Sequence, residues 1–375
     1  MKTSVNIIII SILLTLIESL AFSQSGRNKE SIDGQASVYM EPIWGVQLDP
    51  RWKKGAVIGD VEDGITTEFV EFSFDGKYIV SANGQGIASV INVADGSIKQ
   101  TFTYITDEDV DKLANDLVSG ISGGRTKAFE VECGAFTPDG RFLVLGGNLN
   151  GIKVFNLETN SLVTHVKVDE EVDGLSISPE GSLFAYAAFK SAKVLGTKDW
   201  KLVKDVEYGK DSKGSVVNSI CFTKDGSLMA ICGNSGDVML VNTKGWKTVG
   251  DGLIPDASSI KSVRFSPDER LIAAGNGGGE VTVWRALDMS LIWQYSSLNY
   301  VEAVAWSGDG RYLLVGGRDD GEGRILVFRV SDWQMVGNPQ VMADGASIEY
   351  IDTYGDYVAV SGEDGHVRLY KIISK

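Results

Sequence analysis

Cysteine and histidine are scarce in this chain of 375 residues, with three of the first and two of the second. Cys133, Cys221 and Cys232 show neither metal-ligand nor haem-attachment spacing, which argues against such centres and against a disulfide-built scaffold. Cys221 and Cys232 flank one hairpin, "CFTKDGSLMAIC". With its turn centred on Lys224-Asp225, position 221 faces about 228, so a bridge is not expected and the thiols should be free and buried. His165 and His366 fall at different places of the repeat described below, one in an outer strand and one near a turn, and do not readily serve one site. No H-E-x-x-H pair is present. Basic side chains are in deficit too. Thirty-five Lys and Arg against fifty Asp and Glu leave a net charge of −15, a field that repels nucleic-acid phosphates and anionic membrane surfaces. Proline is rare at 7 residues against 44 glycines, so glycine supplies most of the tight turns.

A long apolar run stands at the N-terminus. Lys2 precedes "VNIIIISILLTLIESLAFSQ", which is short and poorly flanked for a membrane span and ends in Ala21-Phe22-Ser23. Small residues at both cleavage-determining positions point to a signal peptide over residues 1–23, cut before Gln24, and hence to export into a periplasmic or extracellular space. An uncleaved anchor is the rival reading; after cleavage no membrane insertion of the mature chain is expected. Residues 24–35 read as a polar linker.

What the rest of the chain holds is a repeat. Each copy is an apolar strand, a turn centred on Asp-Gly, a second strand, a glycine-rich turn and a third strand, as in "GAFTPDGRFLVLGGNLNGIKVFN" and "VRFSPDERLIAAGNGGGEVTVWR". The turn residue falls at Asp75, Asp139, Glu180, Asp225, Asp268, Asp309 and Tyr354; after a first gap of 64 residues the spacing stays between 41 and 45. That is the period of four-stranded propeller blades. A fourth strand follows each third one ("SIKQTF", "SLVTHV", "WKLVKDV", "WKTVG", "SLIWQY", "WQMVG"), except that the seventh copy stops before it. A spare strand at 36–44, "ASVYMEPIW", can take that place and close the ring, which removes an exposed strand edge. The expected fold over 36–375 is therefore an all-β, seven-bladed propeller of four-stranded antiparallel blades, with one short helical insertion.

On these residues the chain resembles the WD-repeat family and, less closely, the YVTN-type propellers. "FSPD" at 265–268 followed by "VTVWR" at 281–285 is the best single copy. The family's Gly-His pair before the first strand is missing, and its Trp-Asp pair appears as Trp284-Arg285, Ile91-Asn92, Phe155-Asn156 and Tyr370-Lys371. The family's internal Asp-His network is thus not implied here. The resemblance implies a first strand lining a central channel and a top face made of the second-to-third turns and the inter-blade connections.

Candidate binding residues follow from that arrangement. The glycine-rich turns enter strands rather than helices, so they are hairpin turns and not phosphate cradles. Polar side chains between them, Asn148, Asn150, Asp237, Glu280, Arg318, Asp320, Glu363 and His366, project from top-face loops. Seven residues before each turn residue stand Glu68, Glu132, Asp173, Asn218, Lys261 and Glu302, with Glu349 as the nearest equivalent in the seventh copy. Mostly acidic side chains should therefore ring the channel mouth. Such a ring would hold Ca²⁺ or another divalent cation through oxygen ligands, or receive a basic side chain from a partner, or stand as a solvated rim. Residues 106–126, in the first gap, read as a capped amphipathic helix: Thr106 caps it, Asp109 closes the capping box, and Val110, Leu113, Leu117 and Ile121 recur at helical spacing. Trp200, Trp246, Trp333 and Met289 share a repeat position that suggests inter-blade packing, with glycan stacking as the other use of the tryptophans. The function expected is a non-catalytic protein-binding or scaffolding module without a required cofactor. The alternative is a metal-dependent hydrolase or lactonase of the sort some YVTN-like propellers resemble, built on the acidic ring.

Overall fold

The computed structural model describes residues 38–48, 66–105, 130–147, 151–168, 170–209, 216–253, 258–296, 298–342 and 346–374. The export segment 1–23, the linker 24–35, the helical insertion 106–126 and the loop residues Asn148 and Asn150 lie outside the described residues.

Short strands rich in Val, Ile and aromatic residues, punctuated by Asp-Gly turns, cannot bury both faces alone and so stack as blades. Seven antiparallel sheets result, over 70–103, 131–166, 175–207, 217–253, 260–296, 300–341 and 348–374; they are blades 1 to 7 below. No helix occurs among the described residues. The seventh blade takes its outer strand from Val38–Gln47, which pairs antiparallel with His366–Ser374 from Val38↔Ser374 to Gln47↔His366. The closing strand expected near 36–44 is this one. Blade 6 departs from the pattern. Its outer strand is split into Gln334–Met335 and Gln340–Val341, both paired with the third strand, and the Gly337 turn between them packs against Val38 of the closing strand.

The core is seven apolar clusters, one at each junction between neighbouring blades. Cys133, Cys221 and Cys232 are free and buried in them, though Cys221 lies opposite Ala230 rather than 228 because the turn centres on Asp225-Gly226. The bottom turns share one hydrogen-bond pattern. In blade 5 the Ser266 hydroxyl donates to Asp268 Oδ1 at 2.6 Å, the Leu271 amide donates to that hydroxyl at 3.0 Å, and the Arg270 amide donates to Asp268 Oδ1 at 3.2 Å. Ser73–Asp75, Thr137–Asp139, Thr223–Asp225 and Ser307–Asp309 repeat it. Hydrogen bonding holds these carboxyls below their usual range; Asp75, bonded first of all by Lys77, is held down to about 2.

Bulges mark two fixed heights of the molecule. Outer strands of six blades carry one, at Ile43, Lys99, Val163, Val203, Val249 and Ile292. This twists the rim edges away from flat pairing with another strand.

Candidate functional site

First strands carry the second set of bulges. Register skips one residue between Val131 and Cys133, Val217 and Ser219, Ile260 and Ser262, Val301 and Ala303, and Ile348 and Tyr350. The residues left over are Glu132, Asn218, Lys261, Glu302 and Glu349. In blades 1 and 3 the ladder starts after the equivalent residues, Glu68 and Asp173. A bulged residue is released from the alternation that sends its neighbours into the blade junctions, so its side chain turns to the channel. All seven line a single cavity of about 210 Å³ at the top end of the channel, and all seven are half-buried.

The mouth is polarised. Glu302, Glu349, Glu68, Glu132 and Asp173 form an unbroken acidic arc over blades 6, 7, 1, 2 and 3, while Asn218 and Lys261 face it from blades 4 and 5. Burial pushes the Glu68 carboxyl up to about 7, against a hydrogen bond from Thr66, with Glu130, Glu302 and Glu363 adding repulsion. Glu132 is raised well above the carboxylate range by burial and then by Glu68, Glu130 and Asp173. Glu349 is raised by burial and then by Glu68, Glu302 and Glu363. Neither Glu132 nor Glu349 is hydrogen-bonded to a side chain or amide of the described residues, and only in part does the charge of Arg318 offset the rise at Glu349. Lys261 is different. Burial disfavours its charge, yet Glu302, Tyr300 and Glu349 more than compensate and keep it ionised.

Below the ring the channel is crossed by side chains. Arg264 of blade 5 reaches past blade 6 to the Tyr350 hydroxyl and donates to Ser219 Oγ at 3.3 Å. Beside it Asp352 accepts the Phe72 amide at 2.7 Å across the junction of blades 7 and 1, and burial raises Glu71, which also feels Asp352. Sequence reasoning missed this floor. Arg264, Glu71 and Asp352 stand three residues after ring positions, a spacing that becomes meaningful only once the bulge has shifted the parity of the strand.

The top-face loop residues do not form a second array. Arg318 and Glu363 pair with each other across blades 6 and 7, and Glu363 also takes the Ser347 amide at 3.3 Å. Glu280 is held by Asn276 and Gln294 inside blade 5. Asp237 is buried, and His366 sits half-buried against Asp364. Although burial opposes it, hydrogen bonding to His366 and the charge of Arg368 hold the Asp364 carboxyl well below its usual range. Of the described members of this set, Asp320 alone stands exposed at a loop tip. The tryptophans are packing residues: Trp200, Trp246, Trp333 and Met289 each lean on the cluster shared with the preceding blade. Among the described residues no group of three or more His, Cys, Asp and Glu is placed to hold a metal ion. The five carboxyls of the arc are spread around the wall instead.

Comparison with known proteins finds similarity to WD-repeat propellers. The family profile of the anaphase-promoting complex subunit 4 WD40 domain matches residues 263–342, which fall in blades 5 and 6. SEC12-like protein 1 of Arabidopsis thaliana is 23% identical over 229 residues, 58% of this chain and 57% of that protein. Actin-interacting protein 1-2 of the same plant is 21% identical over 66% of this chain and 40% of its own length. The intraflagellar transport protein 122 homolog of Danio rerio is 22% identical over 56% of this chain and 17% of its own. The chain thus spans little more than half of the first relative's length and less of the others. Among solved structures, the β-propeller domain of Cps50 (Swd1) from Myceliophteria thermophila superposes with a TM-score of 0.67 at 12% identity, over 86% of this chain and all of that one.

Proposed function

We propose that this seven-bladed propeller, similar to WD-repeat proteins, is an exported, non-catalytic protein-binding module that takes its partner at the top end of the channel. The observation that carries this reading is the convergence of seven bulged or equivalent positions on one cavity with a five-carboxyl arc. Those carboxyls line one wall of the cavity and repel one another, so a basic side chain of a partner loop relieves that repulsion as it enters. The cavity, about 210 Å³, suits one lysine or arginine head rather than a folded ligand. Lys261, already matched by Glu302, closes the side away from the arc. Two relatives bear names of the same kind of work, actin interaction and intraflagellar transport. The metal-dependent hydrolase has less behind it, since no described carboxyl set is placed to share an ion. Export rests on the apolar run before Gln24.

The test is a pull-down with wild type and with the Glu68→Gln/Glu132→Gln variant, which leaves Lys261 its carboxylate partners. Partners identified by mass spectrometry should be retained by wild type in physiological salt and lost at least tenfold by the variant, whose melting temperature should not fall. Equal recovery by both proteins would sink the channel-mouth reading.

A further inference from the structure

The bottom face carries a contrast between blades. In blades 1, 2, 5 and 6 the residue two after the turn aspartate is basic and pairs with it: Lys77–Asp75 at 2.8 Å, Arg141–Asp139 at 2.6 Å, Arg270–Asp268 at 3.8 Å, and Arg311–Asp309. Cations there are neutralised where they stand. Blades 3 and 4 have Ser182 and Ser227 at that position. Their lysines sit instead on the turns into the outer strands, which read "TKDWKLV" at 197–203 and "TKGWKTV" at 243–249. The two turns present the same loop on neighbouring blades. Thr197 and Thr243 tie them to the carbonyls of Gly181 and Gly226 in the bottom turns, and Trp246 leans into the cluster shared with blade 3.

Lys198, Lys201, Lys244 and Lys247 are exposed, as is Lys224 in the adjoining turn. Of these only Lys201 has an ion-pair partner among the described residues, Asp199 at 3.6 Å, and its side chain is 81% exposed. Beside them protrude Leu202, Val203 and Val249, each more than half exposed at an outer-strand bulge. Exposed ammonium groups, all but that of Lys201 without an ion-pair partner among the described residues, alternate with aliphatic side chains and complement a segment in which acidic and aliphatic residues alternate. A long phosphate polymer fits less well, because it offers no aliphatic side chains to Leu202, Val203 and Val249.

We propose that the bottom rim of blades 3 and 4 is a docking surface for an acidic, aliphatic-containing peptide segment of a partner protein, held by Lys198, Lys201, Lys244 and Lys247 around Leu202, Val203 and Val249. This surface lies on the face opposite the channel mouth and does not depend on the reading of that site.

Fluorescence anisotropy on the full chain tests it with a labelled synthetic peptide, (Glu-Leu-Asp-Val) repeated three times. The peptide should bind wild type, weaken at least tenfold from 50 to 300 mM salt, and weaken at least tenfold in the Lys198→Ser/Lys201→Ser/Lys244→Ser/Lys247→Ser variant. A control with the same charge change, Lys77→Ser/Arg141→Ser/Arg270→Ser/Arg311→Ser, should lose less than twofold, and Val203→Ser/Val249→Ser should lose about threefold or more. Absence of binding to wild type, or an equal loss in both fourfold variants, overturns the proposal. So does preferential binding of phosphatidylserine vesicles or of a single-stranded oligonucleotide, which would move the surface to another class of ligand.

Discussion

At residue scale, one position repeats through the ring with a backbone that side chains rarely accept. Gly96, Asn160, Trp200, Trp246, Met289 and Trp333 all have φ between 53° and 73°. For five of them the amide donates to the carbonyl four residues earlier, as Trp246 does to Asn242 at 2.7 Å. A left-handed turn costs a non-glycine residue on the order of 1 kcal/mol, and the large side chains offset it by filling the junction with the preceding blade. The fit is reciprocal. Met289 lies on Gly250 and Gly252 of blade 4, and at the closing junction the roles reverse, with Gly96 beneath the ring of Trp44. Gly96→Ala should therefore destabilise by about 1–3 kcal/mol, from the left-handed backbone and the crowded Trp44 ring together. Urea titration of the two proteins checks it, and a change under 0.5 kcal/mol would count against the reciprocal packing.

At the scale of elements, the bottom turn acts as a unit because one hydroxyl and one carboxylate serve three amide and hydroxyl donors. Ser266→Ala and Asp268→Ala should each cost about 1 kcal/mol, and the double variant less than the sum, since either change already dismantles the same turn. Strict additivity in a denaturant-based double-mutant cycle would show independent contacts instead. Strands, turns and blade count were legible in the sequence because each is a local signal that recurs from copy to copy: the Asp-Gly turn in four copies, the alternation of apolar residues, the spacing of 41 to 45 in five of the six intervals. Ring positions were legible for the same reason, by their constant distance from the turn. The pairing of Arg318 with Glu363 was not, since it joins two blades whose loops look equally free in the sequence. Nor was the left-handed backbone of Trp200, because tryptophan carries no propensity for it; only Gly96 and Asn160 at the equivalent positions hinted at it.

For the whole molecule, two populations of carboxyls set opposite pH limbs. Channel carboxyls such as Glu68, raised from an ordinary 4.5 to about 7, bind protons in the folded state that the unfolded chain releases. Stability should thus fall as pH rises through 4.5 to 7. Turn aspartates such as Asp75, lowered from 3.8 to about 2, contribute stability above 3.8 that is lost as pH falls toward 2. The melting temperature should rise from pH 8 to about 5 and drop below about 4. Glu132→Gln/Glu349→Gln should flatten the upper limb and leave the acid limb in place. A wild-type melting temperature flat between pH 5 and 8 would refute the crowding of the channel mouth.

The pairing of Val38–Gln47 with His366–Ser374 also has a consequence in time. During synthesis the closing strand emerges before the blades, while its partner emerges only after six of them. Through that interval one half of the seventh blade waits unpaired, and a nascent chain in that state is open to capture by other nascent chains or by a chaperone. Completion of the ring thus waits for His366–Ser374, and a stall or truncation before that strand leaves a ring that cannot shut.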